Sequence, residues 1–366
     1  MSAPRLTSLA LLLVLIGVGV LHGQNDFFID IDSTQGGTPL TTEPGYTSLN
    51  VGGGSTGNVT VGGTTFTVFS ADGSRNRTAG PSVLTNDFVF DDGAGEAVGV
   101  QVNSLPSDIY RANVYAYDHT SAAGNQIVGI QSGVSGGTLF TDSFASNPST
   151  PFSFVFATSD LYGGGLPDGG GIFTRENNGA NRSRFNALEL TQLDLVPSST
   201  QFKIDINSAN TTGSNSGGPL VTESGWVGLD ATQPSEGDSV TVDGTSLQVF
   251  SSAGSRVRVS GGNPNPNDLT GDFVFDNVGS NEAVGLQVFD LPDGVWEASV
   301  WSWDEDFPTQ DQIVGITAFA AGETIFTESF APDPDDPFTF IFDSSILPDG
   351  FGIFTRAGGA ASNSAR

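Results

Sequence analysis

The chain says nearly everything twice, and in the same order. "FIDIDSTQGGTPLTTEPGY" (28–46) is answered by "KIDINSANTTGSNSGGPLVTESGW" (203–226), "DFVFDDGAGEAVGVQVNSLP" (87–106) by "DFVFDNVGSNEAVGLQVFDLP" (272–292), and "LPDGGGIFTR" (166–175) by "LPDGFGIFTR" (347–356). Self-similarity of this length predicts two copies of one module, each burying its own core, and 366 residues suffice for both. The copies occupy residues 24–192 and 201–366. Residues 193–200, with Pro197 and serines, suit an exposed linker.

Each copy is a series of short runs alternating apolar and polar residues, separated by clusters of Gly, Asn, Asp and Pro. "NVTVGGTTFTVF" (58–69) reads as two strands around a Gly62-Gly63 hairpin. No segment sustains a helical period. The expected fold is all-β: two antiparallel β-sandwiches of the jelly-roll kind. Phe88 and Phe90, Phe152, Phe154 and Phe156, and Phe338, Phe340 and Phe342 are spaced two apart and should point inward.

In the first copy "FNALEL" (185–190) reads as a closing strand. In the second, Arg366 aligns with Arg184, so that strand has no counterpart and "FKIDI" (202–206) should be left with a bare edge. The expectation is a fragment whose natural chain continues. The alternative is a genuine stop, with the edge covered by the other module or by a second chain.

Residues 6–21 are an apolar run after Arg5, with Gly23 at a plausible cleavage point. Residues 1–23 therefore read as a secretory signal, against the alternative of an N-terminal anchor. The chain has no Cys, so an exported protein of this kind carries no disulfides. Its net charge of −29 and single lysine, Lys203, argue against nucleic acid and anionic membrane as partners. With only His22 and His119, histidine catalysis has little to stand on.

Three groups of residues could carry function. The strands "YRANVYAYD" (110–118) and "WEASVWSWD" (296–304) put Tyr115 with Tyr117, and Trp301 with Trp303, on the more polar face, where paired rings suit stacking on sugars. Burial of the same rings under loops is the competing reading. Arg75 with Arg77, and Arg256 with Arg258, are guanidinium pairs in a chain poor in cations. They suit carboxylates, sulfates or vicinal hydroxyls, or else structural bridges to Asp87 and Asp272. Asp30 and Asp32 share a strand face beside the strand bearing Glu189, and three such oxygens could hold Ca²⁺.

These patterns, with "RFNALEL" and "LPxxxYxAxVYAYD", resemble the galactose-binding-like jelly rolls of carbohydrate-binding modules and malectin-type domains, and repeats of secreted bacterial proteins that often carry a PEP-CTERM tail. The resemblance implies glycan binding, and a structural calcium beside the first and last strands at Asp30, Asp32 and Glu189. The function expected is non-catalytic binding of an extracellular polysaccharide or cell-surface glycan, by a protein that is secreted or on the cell surface and uses no membrane in its mature form. A structural or adhesive spacer is the alternative. A polysaccharide hydrolase using recurring acids such as Glu43 and Glu223, or Glu96 and Glu282, comes third.

Overall fold

Short alternating runs bounded by turn residues give strands and little else. A computed structural model describes residues 13–22, 25–35, 41–77, 82–93, 96–120, 125–131, 138–145, 147–162, 170–176, 182–208, 222–231, 237–250, 254–257, 272–275, 283–302, 312–318, 324–330, 333 and 336–357. Up to residue 176 the strands are β1 (Leu13–His22), β2 (Phe27–Ser33), β3 (Thr47–Gly52), β4 (Asn58–Val61), β5 (Thr64–Phe69), β6 (Gly73–Asn76), β7 (Asp87–Asp91), β8 (Ala97–Asn103), β9 (Ile109–Tyr115), β10 (Asn125–Gln131), β11 (Thr138–Ala145), β12 (Phe152–Ala157) and β13 (Gly170–Glu176). There follow β14 (Ser183–Phe185), β15 (Ala187–Ser208), β16 (Val227–Ala231), β17 (Ser239–Val242), β18 (Thr245–Phe250), β19 (Gly254–Val257) and β20 (Asp272–Phe275). The last are β21 (Ala283–Phe289), β22 (Val295–Val300), β23 (Gln312–Thr317), β24 (Thr324–Phe330), β25 (Phe338–Asp343) and β26 (Phe351–Ala357).

The chain divides into two compact units, residues 20–196, and residues 197–366 together with 1–19. In the first, one sheet runs β12-β9-β15-β2-β3, a second runs β11-β10-β13-β8-β5-β4, and a small third runs β14-β7-β6. Ile29, Ile31, Ala112, Val114, Leu188 and Leu190 of the first sheet and Phe66, Val98, Val100, Val102, Val128 and Ile172 of the second are all 0 % exposed. The result is an all-β sandwich. In the second unit β17-β18-β21-β26-β23-β24 repeats the second sheet, β22 and β25 pair as β9 and β12 do, and β19 and β20 pair as β6 and β7 do.

The Gly62-Gly63 hairpin forms with Val61 opposite Thr64 and both glycines at positive φ, 57° and 91°. Asp243-Gly244 does the same work between Val242 and Thr245, at φ 49° and 91°. The phenylalanines expected inward are buried at Phe88, Phe90, Phe154, Phe156, Phe340 and Phe342, while Phe152 and Phe338 stand half-buried at the strand ends.

Four features depart from the sequence expectation. The pairs β2 with β3 and β15 with β16 are parallel. Residues 193–200, expected as a linker, have strand backbone inside β15, and the boundary between the two units falls among them, between Val196 and Pro197. "RFNALEL" is not one strand, because Asn186 breaks it. Phe185 ends β14 beside β7, and Ala187 begins β15 between β9 and β2. Finally, Ile204–Ser208 is not without a partner, since it pairs with β16 as β2 does with β3, and β22 pairs on one edge with β1. No helix among the described residues is long and apolar enough to cross a membrane.

Gly99 and Gly285 show how tightly the repeated sheets are built. A Cβ on Gly99 would lie 2.1 Å from the carbonyl oxygen of Ile172, and one on Gly285 would lie 2.0 Å from that of Ile353. Both obstacles are backbone and cannot swing away. Every tyrosine of the chain lies between residues 46 and 162 and every tryptophan between 226 and 303, so each unit carries its own chromophore. Gly285→Ala is expected to destabilise the second unit by about 1–3 kcal/mol, read as a lower tryptophan-reported melting midpoint. Gly99→Ala should shift the tyrosine-reported transition instead.

Candidate functional site

On the small sheet Arg75 stands opposite Phe88 and Arg184 opposite Phe90, so strand alternation puts both arginines and both rings on one face. The guanidinium carbon of Arg75 lies 5.1 Å and that of Arg182 5.0 Å from the Phe90 ring centre, with Arg77 5.9 Å from that of Phe88. Four of the twelve cationic side chains of the chain thus gather over two phenylalanines. Arg184 is 2 % exposed.

Their counter-charge is sparse. Asp118 lies 3.6 Å from Nη2 of Arg77 and 3.7 Å from Nε of Arg184, and Arg182 pairs with Asp92. Burial pulls the Arg184 pKa down while Asp118 opposes the shift; burial raises that of Asp118, but Thr120, Arg77 and Arg184 outweigh it and leave it lowered. Nε of Arg75, Arg77 and Arg184, Nη1 of Arg184 and Nδ1 of His119 are buried with no hydrogen-bond partner. Unmet buried donors are costly, and an anion with several oxygens is the species that would meet them. Arg75 and Arg77 therefore come together as expected, but the acid that Arg77 meets is Asp118 and not Asp87. Sequence reasoning missed Arg182 and Arg184, although "NRSR" (181–184) carries the same alternation as "SRNR" (74–77).

The aromatic expectation fares less well. Phe28, Glu189, Asn113 and Ser153 form a row across β2, β15, β9 and β12. The Glu189 carboxylate accepts from the hydroxyl of Tyr46, from that of Tyr115 at 3.0 Å and from Nδ2 of Asn113 at 2.7 Å. Tyr115 is thereby fixed by its hydroxyl and half-buried, its pKa pushed up to about 12 by burial and by Glu189. Tyr117 is half-buried, and its backbone N–H donates to Asn186 at 2.6 Å. In the second unit Trp301 is only 8 % exposed and meets Trp226 edge-on at 6.4 Å, so it offers no open stacking face. Trp303, Arg258 and the side chain of Arg256 lie outside the described residues.

The calcium set does not assemble. Glu189 stands opposite Phe28, two residues away in register from Asp30, and spends its oxygens on the tyrosines. Asp30 accepts from the Glu43 N–H at 2.8 Å and Asp32 from the Thr42 hydroxyl at 2.7 Å, and the acid facing both is Asp87. Among the described residues no group of three or more His, Asp or Glu side chains is arranged to hold a metal ion.

No family profile and no curated protein matches this chain. Among solved structures it is similar to the YxiM protein of Bacillus subtilis, at 13 % identity over 57 % of this chain and 55 % of that one, with a TM-score of 0.29. The chain thus spans about half the length of that neighbour. A variant of Bacillus subtilis oxalate decarboxylase overlaps 81 % of this chain and 74 % of its own at 9 % identity and a TM-score of 0.12. Likenesses this loose carry no argument about fold or chemistry.

Two buried acids, Asp30 and Asp87, set a pH dependence. Burial, with Asp32 close by, lifts Asp30 to about 8 and Asp87 to about 7, both above their values in an unfolded chain. The folded unit therefore holds protons that the unfolded chain releases. Their contribution to stability is full below about pH 4 and is lost as pH rises through 7 and 8. The tyrosine-reported melting temperature is expected to fall between pH 5 and pH 8. Asp30→Asn, which keeps an acceptor for Glu43, should flatten that slope; an unchanged slope would refute the assignment.

Proposed function

We propose that the protein is a secreted, non-catalytic tandem duplication of one β-sandwich module, and that its first module binds an acidic extracellular polysaccharide. The uronate carboxylates or sulfates of such a polymer would be held by Arg75, Arg77 and Arg184. One observation carries the reading: Arg184, almost wholly buried, keeps two donor atoms without hydrogen-bond partners beside two further arginines whose Nε atoms are also unmet. A multi-oxygen anion would satisfy these donors together, and the rings of Phe88 and Phe90 hold the guanidinium planes in place for it. Neutral glycans would leave the same charges uncompensated, so the site favours acidic ones.

A second reading, a structural or adhesive spacer, is favoured by a different observation. Two of the aromatic side chains that would stack on sugars are engaged in packing, the Tyr115 hydroxyl on Glu189 and Trp301 against Trp226.

The test is retardation of the full chain in gels containing a polyuronate, a sulfated polysaccharide or a neutral glucan, at a salt concentration that screens the −29 net charge. Retardation by acidic polymers alone is expected. Arg75→Ala with Arg77→Ala should weaken it at least about tenfold, or 1.4 kcal/mol. Failure of every polymer to retard the chain would leave the spacer reading in possession.

A further inference from the structure

Asp118 follows β9 and opens the turn at His119 and Thr120, and its two carboxylate oxygens meet different neighbours. Oδ1 accepts two hydrogen bonds from Thr120, one from the backbone N–H at 2.9 Å and one from the hydroxyl at 2.7 Å. Oδ2 faces two guanidinium groups, with Nη2 of Arg77 at 3.6 Å and Nε of Arg184 at 3.7 Å. Charge-assisted N–H···O bonds close to about 2.7–2.9 Å. The carboxylate, buried beside both arginines, thus stops short of bonding either through these atoms, and Nε of Arg184 is left without a partner.

The shortfall has a local cause. An aspartate that accepts the N–H two residues on closes an Asx turn, and the Thr120 hydroxyl adds a second bond to the same oxygen. Thr120 also does more than the arginines to keep Asp118 ionised: its two hydrogen bonds outrank the charges of Arg77 and Arg184 among the causes that lower the Asp118 pKa. The result is a counter-ion held at a distance. Coulomb attraction falls only as the inverse of separation, so at 3.6 and 3.7 Å most of it is kept, whereas a hydrogen bond is not made at that range. Asp118 therefore offsets the buried charge of Arg184 without occupying its Nε–H. The module does not demand a hydroxyl at this place. "YAYDHT" (115–120) is answered by "WSWDED" (301–306), where Asp306 aligns with Thr120, and an ionised carboxylate has no proton to donate.

We propose that Thr120 is a positioning residue of the anion site in the first unit. It ties Asp118 back, so that the acid balances Arg77 and Arg184 while their donors stay open to the oxygens of a carboxylate or sulfate ligand. The inference rests on the reading of the arginine cluster as an anion site and says how that site is kept from being filled by the protein's own acid.

Thr120→Val and Thr120→Ser, made in the full chain, test it. Valine removes the hydroxyl bond and frees Asp118 to close on the arginines; serine keeps the bond. With no ligand present, the Nε–Hε resonance of Arg184, identified by its loss in Arg184→Lys, is expected to move downfield and exchange more slowly in Thr120→Val, and to stay in place in Thr120→Ser. Retardation in gels containing a sulfated polysaccharide is expected to weaken about fivefold in Thr120→Val, the size of effect that one hydrogen bond contributes, and to be kept in Thr120→Ser. An Arg184 resonance that ignores Thr120→Val overturns the proposal, whether or not any polymer binds. So does equal retardation of Thr120→Val and the unaltered chain by the sulfated polymer. If no acidic polymer retards the unaltered chain while the resonance moves as expected, the glycan reading falls and the positioning of Asp118 by Thr120 stands.

Discussion

The first unit depends on one strand laid between two others. Ala187–Leu193 pairs with β2 on one side and β9 on the other, and without it the two outer parts of that sheet would face each other across an empty lane. Its inward leucines fill the core, and its one outward carboxylate, Glu189, collects hydroxyls and an amide from both flanks. The residue before it matters as much. Asn186 receives the Tyr117 N–H at 2.6 Å and donates to the Asp87 carbonyl at 2.8 Å, joining the end of β9 to the start of β7. That clamp turns the chain so that Ser183–Phe185 runs along β7, which sets Arg184 beside Phe90 and within reach of Asp118. The arginine cluster is thus a consequence of how the sheet is closed.

Comparing the two units separates what the backbone requires from what side chains are free to change. The loop N–H of Glu43 meets Asp30 at 2.8 Å, and that of Glu223 meets Asp205 at the same distance. Ser33 donates to Ser74 at 2.9 Å, as Ser208 does to Ser255. Where Asp32 becomes Asn207 the contact survives with its direction reversed: Thr42 donates to the aspartate, but the asparagine donates to Thr222, both at 2.7 Å. Tyr46 and Tyr115 converge on Glu189, whereas their counterparts, Trp226 and Trp301, lie against each other. Phenols suit a position that offers an acceptor; an indole pair fills the same space by ring contact.

Strand content, the Gly62-Gly63 hairpin and the inward and outward faces of residues 110–118 were legible in the sequence, because each follows from local chemistry with period two or from a required positive φ. The pairing of first and last strands was legible by analogy. Register was not: a two-residue offset between β2 and β15 decides that Glu189 meets tyrosines and not Asp30, and no local pattern encodes that offset. The gathering of Arg182 and Arg184 with Arg75 and Arg77 was hidden for a similar reason. It needs the break at Asn186, where an unbroken strand through "RFNALEL" was the simpler reading. Trp301 looked exposed because its strand neighbours Glu297 and Ser299 are polar, but Trp226, far away in sequence, covers it.

The charge distribution gives the cluster its meaning. In a chain of net charge −29 a guanidinium placed anywhere on the surface is attracted to the average field, so nothing in the long-range electrostatics requires four of them to share one face. Gathering them costs mutual repulsion, and burying Arg184 adds desolvation that Asp118, shared with Arg77, offsets only in part. For stability alone, an apolar side chain over Phe90 would serve as well or better. An arrangement that a hydrophobic replacement could match is not explained by stability, and three converging, partly unmet guanidinium groups have the donor chemistry that oxygen anions require, which is the physical ground of the proposed binding.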